Sequence, residues 1–258
     1  MQKLTVNGIQ MAFERWGTAG VGRAPIVLLH GFPLSHVLWR VMMAEMGELD
    51  VITPDLRGCG ESAVVDGAYS IADMADDVIA LLDALMIEKA IIVGHSMGGY
   101  VALAIARKYK ERIAGLGLVS TQALADTPER KAARYATVDQ VAVQGSVLLA
   151  NSMAPNLSAD PQQGTVLWEM ILRQPAAGLM GALAAMAERP AATDLLPNFK
   201  FPVAIVHGLA DALIPVERSR EMKALIPQAV LTELADVGHC PMLEAPVETA
   251  NALKGALL

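Results

Sequence analysis

The stretch Ala90-Ile91-Ile92-Val93-Gly94-His95-Ser96-Met97-Gly98-Gly99-Tyr100-Val101-Ala102-Leu103-Ala104-Ile105 decides how the rest of the chain is read. A short run of β-branched residues gives way, through a glycine-flanked serine, to residues that favour a helix. A strand entering a helix through Gly-x-Ser-x-Gly makes a sharp turn that lifts the serine hydroxyl above a sheet. The two glycines relieve the crowding where strand and helix approach. Ser96 then sits at a helix N-terminus, where free N–H groups and the helix dipole favour developing negative charge. Ser96 is therefore the candidate nucleophile.

Outward from this turn, three further apolar runs read as strands: Ile26–Leu29, Leu116–Val119 and Val203–Val206. None alternates with polar residues, as expected where helices cover both faces of a parallel sheet. Lys3–Val6 and Ile9–Trp16 around Asn7-Gly8 read as a tight hairpin. Ile71, Met74, Val78, Leu81, Leu82 and Leu85 share one helix face, and Ser70 with Asp73 forms a capping pattern at its start. A hairpin followed by alternating strands and helices is an α/β architecture with an antiparallel edge. From 121 to 196 the rhythm breaks. The segment is rich in Ala, Leu and Met, Leu179, Leu183 and Met186 share a helical face, and Pro155, Pro161, Pro175 and Pro190 punctuate it. The expectation is a helical lid between two strands.

A serine hydroxyl needs a base. Of five histidines, His30 and His207 precede glycines at strand ends and read as local hydrogen-bonding groups, and His36 reads as a surface or cap residue. His95 adjoins Ser96 at a tight turn and should point elsewhere. His239 lies in the loop Asp236-Val237-Gly238-His239 after a strand-like Ala229–Leu234, and is the candidate base. The base needs a carboxylate to fix its tautomer. Asp211, in Gly208-Leu209-Ala210-Asp211 past the end of a strand, is assigned that place; Asp236 competes, three residues before His239. An acid after the preceding strand would fall near 121–126.

These elements together resemble the α/β-hydrolase superfamily, and within it small bacterial carboxylesterases, enol-lactonases and perhydrolases. The likeness rests on His30-Gly31-Phe32-Pro33, on Asp55-Leu56-Arg57-Gly58-Cys59-Gly60-Glu61-Ser62, on the turn at Ser96, and on Asp211 with His239. It implies a mostly parallel eight-stranded sheet flanked by helices, with a helical cap inserted after the sixth strand. Residues 1–120 and 197–258 would form the core and 121–196 the cap. It also implies an oxyanion hole from the backbone N–H groups of Phe32 and Met97, with Asp55–Ser62 as scaffold. A serine rather than an aspartate at the turn argues against dehalogenase and epoxide hydrolase chemistry. The implied reaction is cofactor-free hydrolysis of a small-molecule carboxylic ester. Enol-lactone hydrolysis, C–C bond hydrolysis and perhydrolysis are the alternatives on the same residues.

Composition narrows the classes further. The chain has 258 residues, 53% of them hydrophobic, enough for one large core. A net charge of −7 argues against a nucleic-acid partner or an anionic membrane surface. The charge-free stretches Ala90–Ala106 and Val141–Ala159 are broken by polar residues, glycine and proline, and read as buried structure rather than membrane spans. The opening MQKLTVNGIQ lacks a basic region followed by an apolar run, so a cytoplasmic location and free thiols at Cys59 and Cys240 are expected. No metal-ligand spacing is present, and no metal is expected.

Overall fold

A computed structural model describes residues 1–18, 20, 22–65 and 67–258. Eight strands form one sheet: β1 (Gln2–Val6), β2 (Ile9–Trp16), β3 (Ile26–Leu29), β4 (Val51–Pro54), β5 (Ala90–His95), β6 (Ile113–Val119), β7 (Val203–Gly208) and β8 (Val230–Leu234). Their spatial order is β1-β2-β4-β3-β5-β6-β7-β8. The pairs β1–β2 and β2–β4 are antiparallel, and every other pair is parallel. The hairpin closes with Val6 opposite Ile9. Asn7 and Gly8 take φ of 46° and 80° there, the pair of positive values that a two-residue turn matched to strand twist requires.

Burial follows position in the sheet. β3, β4, β5 and β7 are buried along their whole length, whereas the edge strands β1 and β8 are exposed or half-buried except at their last residue. The continuous apolar runs are thus the strands covered on both faces. Strand β4, Val51-Ile52-Thr53-Pro54, is one the sequence reading does not single out. Threonine and proline fill its second half, so it lacks the continuous apolar run that marks β3.

The helices are α1 (Arg40–Met43), α2 (Ile71–Ala84), α3 (Met97–Lys108), α4 (Pro128–Gln144), α5 (Ser146–Met153), α6 (Gly164–Leu172), α7 (Ala176–Glu188), α8 (Glu217–Leu225), α9 (Pro241–Glu244) and α10 (Pro246–Leu257). Among the described residues no single helix is long and apolar enough to cross a membrane. Helix α2 starts as expected: Ser70 Oγ accepts from the Asp73 N–H, and the Asp73 carboxylate accepts from the Ser70 N–H. Helices α2 and α3 pack on each other, α3 lies against β5 and β6, α8 against β7 and β8, and α10 spans β6, β7 and β8.

Between β6 and β7 the described residues hold helices α4 to α7 and no strand. Leu179, Leu183 and Met186 are all buried. Helix α7 meets the loop after β4 almost backbone to backbone. A Cβ at Gly178 would lie 1.7 Å from the Gly58 carbonyl oxygen, so only glycine fits, and the Tyr69 hydroxyl donates to the Gly178 carbonyl at 3.1 Å. The Gln174 side chain accepts from the Gly60 N–H at 2.8 Å.

One ion cluster ties the two ends of this helical segment together. The Asp126 side chain is fully buried and pairs with Arg134 of α4. Arg189, just past α7, approaches Asp126 at 2.9 Å, outside hydrogen-bond geometry, and donates to the Met186 and Leu124 carbonyls at 2.7 and 3.0 Å. Its guanidinium lies 3.9 Å from the centre of the Tyr100 ring on α3. Removing the carboxylate leaves buried cations uncompensated, which costs about 3 kcal/mol or more. Asp126→Ala is therefore expected to lower the melting temperature by roughly 6–12 °C, as read by calorimetry.

Candidate active site

Ser96 sits between β5 and α3 with φ 50° and ψ −112°, a conformation a non-glycine residue rarely adopts. Its surroundings hold it there. The Ser96 N–H donates to the Val119 carbonyl at 2.9 Å, and the Thr121 hydroxyl donates to the Ser96 carbonyl at 2.7 Å. A Cβ on Gly94 would come within 2.2 Å of the Gly98 oxygen, and one on Gly98 within 2.3 Å of the Leu29 oxygen. The glycines flanking the serine are thus fixed by close backbone approach. Ser96 itself is half-buried.

The same crowding brings Phe32 and Met97 into one neighbourhood. Gly98 lies on the end of β3, and a Cβ on Gly31 would lie 3.1 Å from Ser96 Cβ. The Gly31–Phe32 loop therefore passes beside the serine. Met97 is the first residue of α3, where a backbone N–H has no partner within the helix. Both residues are buried.

His239 is buried to 1% exposure, and its Nδ1 donates to Asp211 Oδ2 at 2.7 Å. Asp211 Oδ1 accepts from the Leu213 and Ile214 N–H groups at 2.8 and 3.0 Å. Burial opposes ionisation of Asp211, but the His239 hydrogen bond and charge, with the two backbone donors, hold the carboxyl below its usual range. It is a carboxylate at neutral pH, so it accepts from Nδ1–H of His239, and Nε2 is the ring nitrogen this bond leaves unused. The loops after β7 and β8 are pressed together to allow this. The Leu209 and Ala210 N–H groups donate to the Leu234 and Val237 carbonyls, and a Cβ on Gly208 would meet the Val237 oxygen at 2.2 Å.

The rival carboxylates lie elsewhere. Asp236 is exposed, on a residue with φ 58°, and Asp126 is enclosed by arginines. His30 is a local hydrogen-bonding group as expected: its Nε2 accepts from the Leu56 N–H, and its Nδ1 donates to the Gly31 carbonyl. His207 donates from Nε2 to the Ile214 carbonyl and accepts the Ser219 hydroxyl at Nδ1. Burial pushes both rings below the usual histidine range, so both are neutral. His36 corrects the sequence reading. It is 3% exposed, and its N–H and Nδ1 both donate to Asp55 Oδ1 at 2.7 and 2.8 Å. Asp55 also accepts from the Glu61 N–H, in keeping with a scaffold loop.

His95 does point away from the serine hydroxyl, as the turn requires, but toward the other candidate. Its Nε2 donates to the His239 carbonyl at 2.8 Å, and the two rings lie 4.8 Å apart. Burial, with the neighbouring His239, keeps His95 neutral. Thr121 and His95 are thus the supports of the site that the sequence reading passes over. Their signal was absent because both act on the backbone of residues far along the chain. Cys59 and Cys240 are free and fully buried, and burial raises both thiols far above the usual range, so neither is a thiolate.

Known proteins carry the same frame. The profile of the family described as alpha/beta hydrolase fold matches residues 24–246. The chain is 31% identical to the AB hydrolase superfamily protein YisY of Bacillus subtilis, over 91% of each chain. It is 32% identical to the dihydrolipoyllysine-residue acetyltransferase component of the acetoin cleaving system of Pseudomonas putida, over 95% of this chain but only 65% of that protein. A solved thermophilic esterase from Thermogutta terrifontis superposes with a TM-score of 0.94 at 38% identity, covering 99% of this chain and 97% of the other. With the sheet order, the strained serine turn and the buried histidine–aspartate pair, these likenesses show that the chain belongs to the α/β-hydrolase superfamily and is an enzyme of that superfamily.

Proposed function

We propose that the protein is a serine hydrolase that cleaves carboxylic esters of small to medium acyl chains. The observation that carries this reading is the buried His239–Asp211 hydrogen bond, supported by the bond from His95, the residue before the serine of the strained strand-to-helix turn, to the His239 carbonyl. Ser96 Oγ attacks the ester carbonyl while His239 Nε2 takes its proton, and Asp211 holds the imidazolium that results. The carbonyl oxygen becomes an oxyanion, which the N–H groups of Phe32 and Met97 receive. As the tetrahedral intermediate collapses, the carbonyl–alkoxy bond breaks and His239 passes its proton to the departing oxygen. Water, deprotonated by His239, then attacks the acyl-enzyme. The carbon–Oγ bond breaks, the acid leaves, and the proton returns to Ser96. The route requires no cofactor.

Residues 1–120 and 197–258 act in this reading as the core, and 121–196 as a cap over the site. The contacts of α7 with Gly58 and Tyr69, and of Gln174 just before it with Gly60, support that placement, because they seat the segment on a loop following β4. Leu167, Met170, Leu179 and Met186 are buried, whereas Met153, Trp168 and Met180 are partly exposed. In this reading these residues line an apolar pocket over the serine, and adaptable methionine walls there would suit a short to medium acyl chain with a broad optimum. In a series of p-nitrophenyl esters, kcat/KM should peak below about eight acyl carbons and fall steeply by hexadecanoate; the bound on pocket size sets that limit. Activity rising through to hexadecanoate, or jumping at an oil–water interface, would contradict the closed pocket. Parallel lactone and acetate-plus-peroxide assays separate the ester reaction from its neighbours on the same residues.

A further inference from the structure

Glu244 closes α9, five residues after His239, and the mechanism above does not use it. Its carboxylate gathers three backbone donors. Oε2 accepts from the Gly238 N–H at 2.8 Å and from the Ala159 N–H at 2.8 Å, and Oε1 accepts from the Cys240 N–H at 3.1 Å. Two of these donors flank His239 in sequence, and the third belongs to the loop between α5 and α6. The packing leaves no slack. A Cβ on Gly238 would lie 2.5 Å from the Ala159 nitrogen and 3.1 Å from Glu244 Oε1. With the His95 bond to its carbonyl, the peptide units on both sides of His239 are tied.

We propose that Glu244 is a positioning residue that fixes the backbone register of the base His239 and docks the helical segment's 158–160 loop onto it through one shared carboxylate. The proposal rests on the reading of Ser96, His239 and Asp211 given above. Each N–H bond to a charged acceptor is stronger than a neutral one, and a single carboxylate takes three only through its several lone pairs. The geometry of proton transfer tolerates little displacement; a shift of about 1 Å in a supporting group costs on the order of 10²-fold in rate. Tying the helical segment and the base loop to the same group also makes their positions interdependent.

Glu244→Gln keeps the shape but offers one acceptor oxygen and turns an NH2 toward at least one N–H donor. Glu244→Ala offers none. With p-nitrophenyl butanoate, kcat should fall about 10-fold in Glu244→Gln and on the order of 10²-fold in Glu244→Ala, with KM within about twofold of the parent. Hydrogen exchange at the amides of Ala159, Gly238 and Cys240 should accelerate together, while amides of β5 and β6 keep their protection. A role in stability alone would lower the melting temperature and leave kcat of the folded protein unchanged. If Glu244→Ala fails to fold, the near-isosteric Glu244→Gln decides. A folded Glu244→Gln with kcat within about twofold of the parent, or a loss confined to KM, overturns the proposal. Ser96→Ala, run alongside, separates the two claims. An active Ser96→Ala removes the reading of the site and the positioning role with it. An inactive Ser96→Ala beside a full-rate Glu244→Gln removes only the positioning role.

Discussion

Replacing Ser96 by alanine is expected to lower ester hydrolysis by on the order of 10³-fold or more, while the melting temperature stays within a few degrees of the parent. The side chain is only half-buried, and the bonds that hold the turn run through its backbone N–H and carbonyl. Deleting one oxygen therefore leaves the packing intact. It removes the atom that becomes acylated, so what survives is the contribution of the oxyanion donors and of binding. The residual rate should be insensitive to further change at His239, because a base with no nucleophile to activate contributes little. Half the parental rate in Ser96→Ala would reject the assignment.

Replacing Asp211 by asparagine should lower kcat by on the order of 10³- to 10⁴-fold, with Asp236→Asn within about twofold of the parent. An amide oxygen still accepts a hydrogen bond, but an amide group turned the other way donates and stabilises the wrong histidine tautomer. It also carries no charge to hold the imidazolium. Asp236 is exposed on its own turn, so its substitution touches nothing in the site. The opposite ranking of the two variants would move the acid to Asp236. A linked effect on stability has a definite sign. The Asp211 carboxyl is held below its usual range, so its contribution is present above the unfolded value and is lost as the pH falls through the folded one. The stability gap between the parent and Asp211→Asn should therefore narrow as the solution is acidified, measured by denaturant midpoints at several pH values.

Most of the fold was legible because central strands of a parallel sheet are continuous apolar runs, and the turn at Ser96 is dictated by glycines whose neighbours leave no room for a side chain. Strand β4 was not legible. With Thr53 and Pro54 interrupting its apolar run, its identity comes from pairing with β2 and β3, and pairing leaves no trace in the sequence pattern. Asp211 was legible from its place past the end of β7, and its bond to His239 follows from loops pressed together at Gly208. His36 was misread for the opposite reason. It stands at the start of a short 3₁₀ turn, His36–Trp39, and nothing local announces that the carboxylate of Asp55 lies within reach. Thr121, His95 and Glu244 share this invisibility, since each acts on a backbone group rather than on a side chain of complementary type.

The central claim is that Ser96 carries the acyl group, and trapping that intermediate tests it most directly. The intact protein is treated with an aryl sulfonyl fluoride, weighed by mass spectrometry, and digested to locate the adduct. One equivalent of label should attach, at Ser96, with simultaneous loss of esterase activity. The mass shift should vanish in Ser96→Ala and form far more slowly in Asp211→Asn. Stoichiometric label on another residue together with loss of activity, or full inactivation without any label on Ser96, would contradict the account.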